Sequence, residues 1–264
     1  MLIEDAPAEL LDLETEMEAL ATRYRDAGGL GIQVLNLIGA RADQLLDRLP
    51  ENIRANLDVA TEKALNLSMK AAHRSRGMIG DQPGWLNTTV TTAMGAAGGF
   101  GGLPSALAEL PVTTTILLRA IQGVAAEQGF DPAAENVQFD CVRVFASAGP
   151  LEFDDSADLA FLSTRMALQG AGLQALIARV APRLAHVLGQ KLAAQTVPVL
   201  GAVAGAATNY AYTSYYQDMA HVHFRLRRLA IEADTPEDHL IEDLRQRATD
   251  ISLKKAKPPM TGGR

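Results

Sequence analysis

With 264 residues, 48% of them apolar, the chain has material for one large core or two small ones, and aromatics at 5% leave Ala, Leu, Val, Ile and Gly to fill it. That mixture suits closely approaching helices better than a β-sandwich. A net charge of −7 argues against nucleic acid as the main partner, and a lone cysteine, Cys141, excludes an internal disulfide and reads as a core residue in a reducing compartment.

The first residues are acidic (Glu4, Asp5, Glu9, Asp12, Glu14, Glu16), with no basic and then apolar leader, so the expected compartment is the cytoplasm. Leu10, Leu13, Met17, Leu20 and Tyr24 recur by threes and fours, the seam of a helix over 7–24 that Asp5 caps, Pro7 starts and Gly28-Gly29 stops. Leu35, Ile38, Ala42, Leu45 and Leu49 keep the rhythm in a second helix ended by Pro50, so the pair reads as an antiparallel hairpin. A third helix spans Glu51 to about Met78, and its second half is basic: Lys70, His73, Arg74 and Arg76. Such a run is ordinarily a solvated face; beside an apolar segment it also suits anionic lipid headgroups.

Residues 82–108 carry no charge. A bilayer needs roughly 20 apolar residues, but this stretch is rich in glycine and threonine and holds Pro83 and Pro104, unlike a greasy span. Gly95/Gly99 and Gly98/Gly102 form overlapping small-x-x-x-small pairs that let another backbone come close. Each helix-interior glycine costs about 1 kcal/mol relative to alanine, so the set demands a compensating contact. Residues 192–217 are also uncharged and carry Gly201 and Gly205, which read as the partner lane.

From Pro104 a helix runs to Gln128, kinked at Pro111, with Thr113, Thr114 and Thr115 placed to bond back to carbonyls and Gly129 to end it. Asp131-Pro132 starts another through Val137, Cys141, Val144 and Phe145, closed by Gly149-Pro150. A helix over 156–169 is capped by Asp154 or Asp155, and one containing Pro182 ends near Leu188. Gln190 to about Ala233 reads as a single helix kinked at Pro198. Thr235-Pro236-Glu237-Asp238 has capping-box character for a short helix to Arg247, and the basic tail from Ser252 reads as disordered. No strand alternation and no internal repeat appears. The fold class is all-α: a compact bundle with two glycine-rich, kinked central helices and an N-terminal hairpin. Its expected divisions are 1–50, 51–247 and 248–264.

Over Ala96–Pro132 (AAGGFGGLPSALAELPVTTTILLRAIQGVAAEQGFDP) and again over Gln190–Leu229 the sequence resembles the EcsC family of bacterial proteins, the resemblance spanning about Arg54 to Leu229. It implies a helical protein, associated with membranes in some readings of the family, and no established reaction.

The usual catalytic signatures are missing: no phosphate-binding G-x-x-x-x-G-K-[ST], no dinucleotide fingerprint, no H-E-x-x-H and no G-x-S-x-G, so no cofactor is implied. Asp218, His221 and His223 are metal-ligand types, but residues two apart point to different faces of a helix, so no metal site is expected. One polar arrangement stands out. Gln195, Ala202, Asn209, Tyr216 and His223 recur every seven residues, one lane of a helix, with Lys191 a turn earlier. Glu109 is the natural counter-ion for Lys191; Thr113 and Arg119 join the set, Arg119 as a partner for Glu109 or for an anionic ligand. Three accounts fit these residues: a buried network fixing helix register, a pocket for a ligand or lipid headgroup, and a catalytic centre with Glu109 or His223 as base and a threonine as nucleophile. Tyr210, Tyr212, Tyr215 and Tyr216 read as core mixed with surface.

The functional expectation is a cytoplasmic accessory or lipid-binding protein, peripheral to the inner membrane or to a complex in it. The alternatives are a soluble helical hydrolase with its site between the glycine-rich helices, and an interaction module that dimerises through the N-terminal hairpin.

Overall fold

In the computed structural model, residues 12–38, 41, 44–78, 111–145, 147, 149–151, 172–195 and 201–256 are described. The helices are α1 (Leu13–Ala27), α2 (Gly29–Ile38), α3 (Glu51–Met78), α4 (described over 111–127), α5 (Glu135–Phe145), α6 (Leu173–Gln195), α7 (Gly201–Glu232) and α8 (Glu237–Ala256), with a 3-10 turn at Leu46–Arg48. No strand occurs among the described residues, and the fold is an all-α bundle.

Helix α7, 32 residues long, is the axis: α1, α2, α5, α6 and α8 all pack on it. Its middle is sealed by Tyr212, Tyr215 and Tyr216, all fully buried, with the Phe145 ring edge-on to Tyr216 at 4.8 Å. Tyr210 is outside at 44% exposure, so the tyrosines are core and surface as expected. Cys141 is fully buried, as its reading requires.

Long-range contacts fix the register around that axis. The Tyr212 hydroxyl donates to the Val187 carbonyl at 2.9 Å, which folds α6 back along α7. This corrects the single kinked helix expected over Gln190–Ala233. In one helix those two residues would lie roughly 37 Å apart at 1.5 Å per residue; instead α6 runs unbroken through Pro182 to Gln195, and α7 starts at Gly201. Pro198, with no backbone N–H to give, stands in that interval. The helix expected to end near Leu188 continues through Gly189 to Gln195. Gly189 lies mid-helix, where a Cβ would come within 2.5 Å of Leu57 and 2.6 Å of Leu46, so the missing side chain admits α3 and the 3-10 turn.

The N-terminal segment also differs. Helix α1 begins at Leu13, capped by Asp12, whose carboxylate accepts from the Thr15 N–H, later than the expected start; Asp5 and Pro7 lie outside the described residues. The second helix stops at Ile38. Helices α1 and α2 touch each other little and pack on α7, with α1 also on α8. Met17, Leu20 and Tyr24, the seam that marked the first helix, are buried in the chain's own core. The ion pairs Glu16–Arg225 (3.1 Å) and Arg23–Asp218 (3.0 Å) set α1 antiparallel to α7. Helix α3 matches its expected span.

Two helix ends use the left-handed backbone. Gly129, at φ +80°, closes α4: the Phe130 N–H donates to the Ala125 carbonyl and the Gly129 N–H to that of Ala126. Near Pro111 the expected threonine back-bond is present, Thr115 donating to the Pro111 carbonyl at 2.7 Å, and Ser68 of α3 donates to the same oxygen at 3.1 Å. After α7 the left-handed residue is Asp234, φ +47°, with the Thr235 N–H on the Ala230 carbonyl. The Thr235 hydroxyl donates to Ala233 and does not close the expected capping box. Helix α8 continues to Ala256, past both Arg247 and the Ser252 where disorder was expected. Because glycine adopts positive φ without a Cβ penalty, Asp234→Gly is expected to raise stability by about 0.5–1 kcal/mol, measurable as a higher urea midpoint with an unchanged slope.

Candidate functional site

The polar lane lies inside the molecule. Asn209, Tyr216 and His223 are each 1% exposed or less, as are Lys191 and Thr113. Four residues past Val187 on α6 is Lys191, and four before Tyr212 on α7 is Thr208, so the Tyr212 bond puts Lys191 level with Thr208 and Asn209. Lys191, Asn209, Tyr216 and Arg119 are all engaged by neighbours. Gln195 ends α6 and so is not on the same helix as the rest of the lane, which corrects the five-member heptad. Gly205 is buried on α7, near the start of that helix at Gly201. Glu109, the expected counter-ion of Lys191, and Gly95, Gly98, Gly99 and Gly102 lie outside the described residues.

The structure does not bring the lane to one point. Asn209 and His223 are 14 residues apart on one helix, about 21 Å along its axis. Between them stand the tyrosines.

At the His223 end lies a cluster that sequence reasoning only touched. Asp140 of α5 meets His223 Nε2 at 3.5 Å, Arg143 at 3.2 Å and the guanidinium of Arg227. Arg227 also lies over the Phe130 ring, 4.7 Å from its centroid. Burial alone would push the Asp140 carboxyl up; the His223 hydrogen bond and the charges of His223, Arg227 and Arg143 outweigh it and hold the group below its ordinary 3.8. One carboxylate thus joins α5 to two turns of α7. The clue was available: Asp140 and Arg143 share the α5 seam with Val137 and Val144, where a charge must be paired to be buried.

A second polar feature is open to solvent. A groove of about 880 Å³ between α1 and α7 is lined by Glu16, Arg23, Asp26, Gln128, Asp218, His221 and Arg225, among others. Burial pushes the Asp218 carboxyl up, partly offset by Arg23. Burial, then the Arg23 charge, pushes His221 down to about 4, so its imidazole is neutral at neutral pH. His221 and His223 do face different ways, one into the groove and one onto Asp140. Among the described residues no group of His, Cys, Asp and Glu is placed to hold a metal ion.

The depressed His221 value carries a pH prediction. Below its ordinary 6.5 the unfolded chain takes up a proton that the folded chain refuses until about 4, so stability falls as pH drops through that window. At about 1.4 kcal/mol per pH unit, the loss from pH 7 to pH 5 would be roughly 2 kcal/mol, and partial exposure reduces it to about 1 kcal/mol. Urea unfolding at the two pH values should show this fall in the native chain and a smaller one in His221→Gln.

The fold and site define a helical bundle with a buried ionic cluster and a polar lane, and none of the motif-borne catalytic centres. The chain belongs to the EcsC protein family, whose profile matches residues 81–229. The match covers α4 to most of α7 and leaves α1–α3 and α8 outside. Neither the curated proteins nor the solved structures include a match to this chain.

Proposed function

We propose that this protein is a non-catalytic helical accessory factor that binds the anionic surface of a membrane. The observation that carries the reading is charge placement. In a chain of net charge −7, residues 82–108 are uncharged, and Lys70, Arg74 and Arg76 occupy the final turns of α3, which stays helical up to Met78. Basic residues beside an apolar segment are attracted to anionic headgroups, while an acidic body is repelled elsewhere. No helix among the described residues is long and apolar enough to cross a membrane, so the contact proposed is with the surface. A hydrolase site built from Lys191, Asn209 and His223 lacks support, because the bundle separates the last two by four turns of helix.

The test is co-sedimentation of the full chain with phosphatidylglycerol vesicles at low salt. Each basic residue near such a surface contributes about 1 kcal/mol, so Lys70→Glu with Arg74→Glu and Arg76→Glu should weaken partitioning about a hundredfold or more. Full recovery of the native chain in the supernatant would overturn the proposal.

A further inference from the structure

Helix α3 sorts its residues by charge around its axis. Leu57, Thr61, Ala64, Leu65, Ser68 and Met69 form its buried side, against α6 and the start of α4. At about 100° per residue, the positions of Val59, Lys63, Leu67, Lys70 and Arg74 fall within roughly 80° of one another on the opposite side. Val59 and Leu67 are 55% and 59% exposed, and Lys63 between them is exposed too. The acids of the helix, Glu51, Asp58 and Glu62, keep to one flank about 120° from that lane, and Arg54 beside them is paired with Asp47. The other flank is neutral: Asn56 and Asn66 turn their amides back onto carbonyls of their own helix, and Ala60 stands between them in sequence. In a chain of net charge −7, Val59 to Arg74 is thus a lane about 22 Å long, at 1.5 Å per residue, that holds cations and large aliphatics and no acid.

We infer that α3 lies lengthwise on an anionic bilayer, with Val59 and Leu67 entering the headgroup boundary and Lys63, Lys70 and Arg74 level with the headgroup phosphates. This lane rests on the membrane-surface reading above and carries its contact three turns back from the end of α3, to Val59. The cations choose an anionic occupant, and the aliphatics set between them choose lipid. Long basic side chains lay their methylene stems along apolar material while the charge stays at the boundary, so both residue types are satisfied at one depth. A hydrophilic polyanion would engage the cations and leave Val59 and Leu67 in water. A second copy of the chain fits less well, because the acids of its α1 are already engaged: Glu14 and Glu18 with Arg247, and Glu16 with Arg225.

The test labels single cysteines introduced as Val59→Cys, Leu67→Cys and, as control, Ile231→Cys on α7 with an environment-sensitive fluorophore; the buried Cys141 makes the native chain the labelling blank. Phosphatidylglycerol vesicles should shift the emission at 59 and 67 to the blue and leave 231 unchanged. Two unlabelled variants remove the same charge from different sides of α3. Lys63→Gln should partition onto the vesicles about fivefold more weakly, and Arg54→Gln less than about twofold. Sedimentation with vesicles but no shift at 59 and 67, or equal losses in the two variants, would overturn this lane and leave the membrane reading standing. No sedimentation at all would overturn both. A blue shift that grows with protein concentration in the absence of vesicles would overturn the lipid assignment in favour of a second copy.

Discussion

Asp140→Asn is expected to lower the unfolding free energy by about 3–5 kcal/mol, the range found when one partner of a buried ion pair is removed. The carboxylate is the shared anion for Arg143, only 4% exposed, and for Arg227, and His223 Nε2 lies 3.5 Å from it. Asparagine keeps the shape but withdraws the charge, leaving those cations inside with less compensation. Asp47→Asn is the contrast: Asp47 pairs with Arg54 at 3.0 Å, but its side chain is 74% exposed. Solvent-screened pairs contribute little, so that change should cost under about 0.5 kcal/mol. The pH dependence has a definite sign. The folded Asp140 carboxyl lies below its ordinary value, so the stabilisation from its ionised form is complete above that value and disappears as pH falls through the depressed one. The gap between native and variant should therefore be full at pH 7 and close only under strongly acid conditions, as read by urea unfolding across pH.

Gly31→Ala is expected to be nearly as damaging. A Cβ there would lie 1.7 Å from the Pro150 carbonyl oxygen and 2.4 Å from its carbon, atoms of the backbone that cannot swing aside. Relief requires moving α2 against the 149–151 turn, and overpacking of this kind costs about 3 kcal/mol or more. At Gly189 the same change meets the ends of Leu57 and Leu46 side chains, which can rotate, so a cost of about 1 kcal/mol is expected after the helix-propensity gain of alanine. At Gly123, inside α4, nothing lies within 4 Å of the new Cβ, and the substitution should stabilise by about 1 kcal/mol. Thermal midpoints of the three variants should fall in that order, Gly31→Ala lowest and Gly123→Ala above the native chain.

The glycine series shows where a sequence is readable. Local signals carried: Gly129 ending α4, the Thr115 back-bond, the full span of α3, the burial of Cys141 and the division of the tyrosines between core and surface. Each depends on a few neighbouring residues and on backbone rules that hold in any fold. What failed needed a distant partner. The helix expected to end near Leu188 runs on through Gly189, and nothing nearby in sequence reveals that Leu46 and Leu57 press on that glycine. Pro182 looks like a helix divider as a letter, yet α6 runs through it to Gln195, and α6 and α7 are two helices joined side by side by the Tyr212–Val187 bond. The heptad lane was right about burial for Asn209, Tyr216 and His223 and wrong about Gln195, because period alone cannot see a reversal. His223 was legible as a buried oddity, whereas its partner Asp140 lies 83 residues earlier, where only the polar interruption of the α5 seam marked it.

Hydrogen–deuterium exchange of the full chain, with and without phosphatidylglycerol vesicles, tests the proposed membrane contact most directly. Slower exchange in the last turns of α3, which carry Lys70, Arg74 and Arg76, with Asp218–Glu232 of α7 unchanged, is the predicted result. Equal exchange in both conditions, or protection confined to Asp218–Glu232, would contradict it.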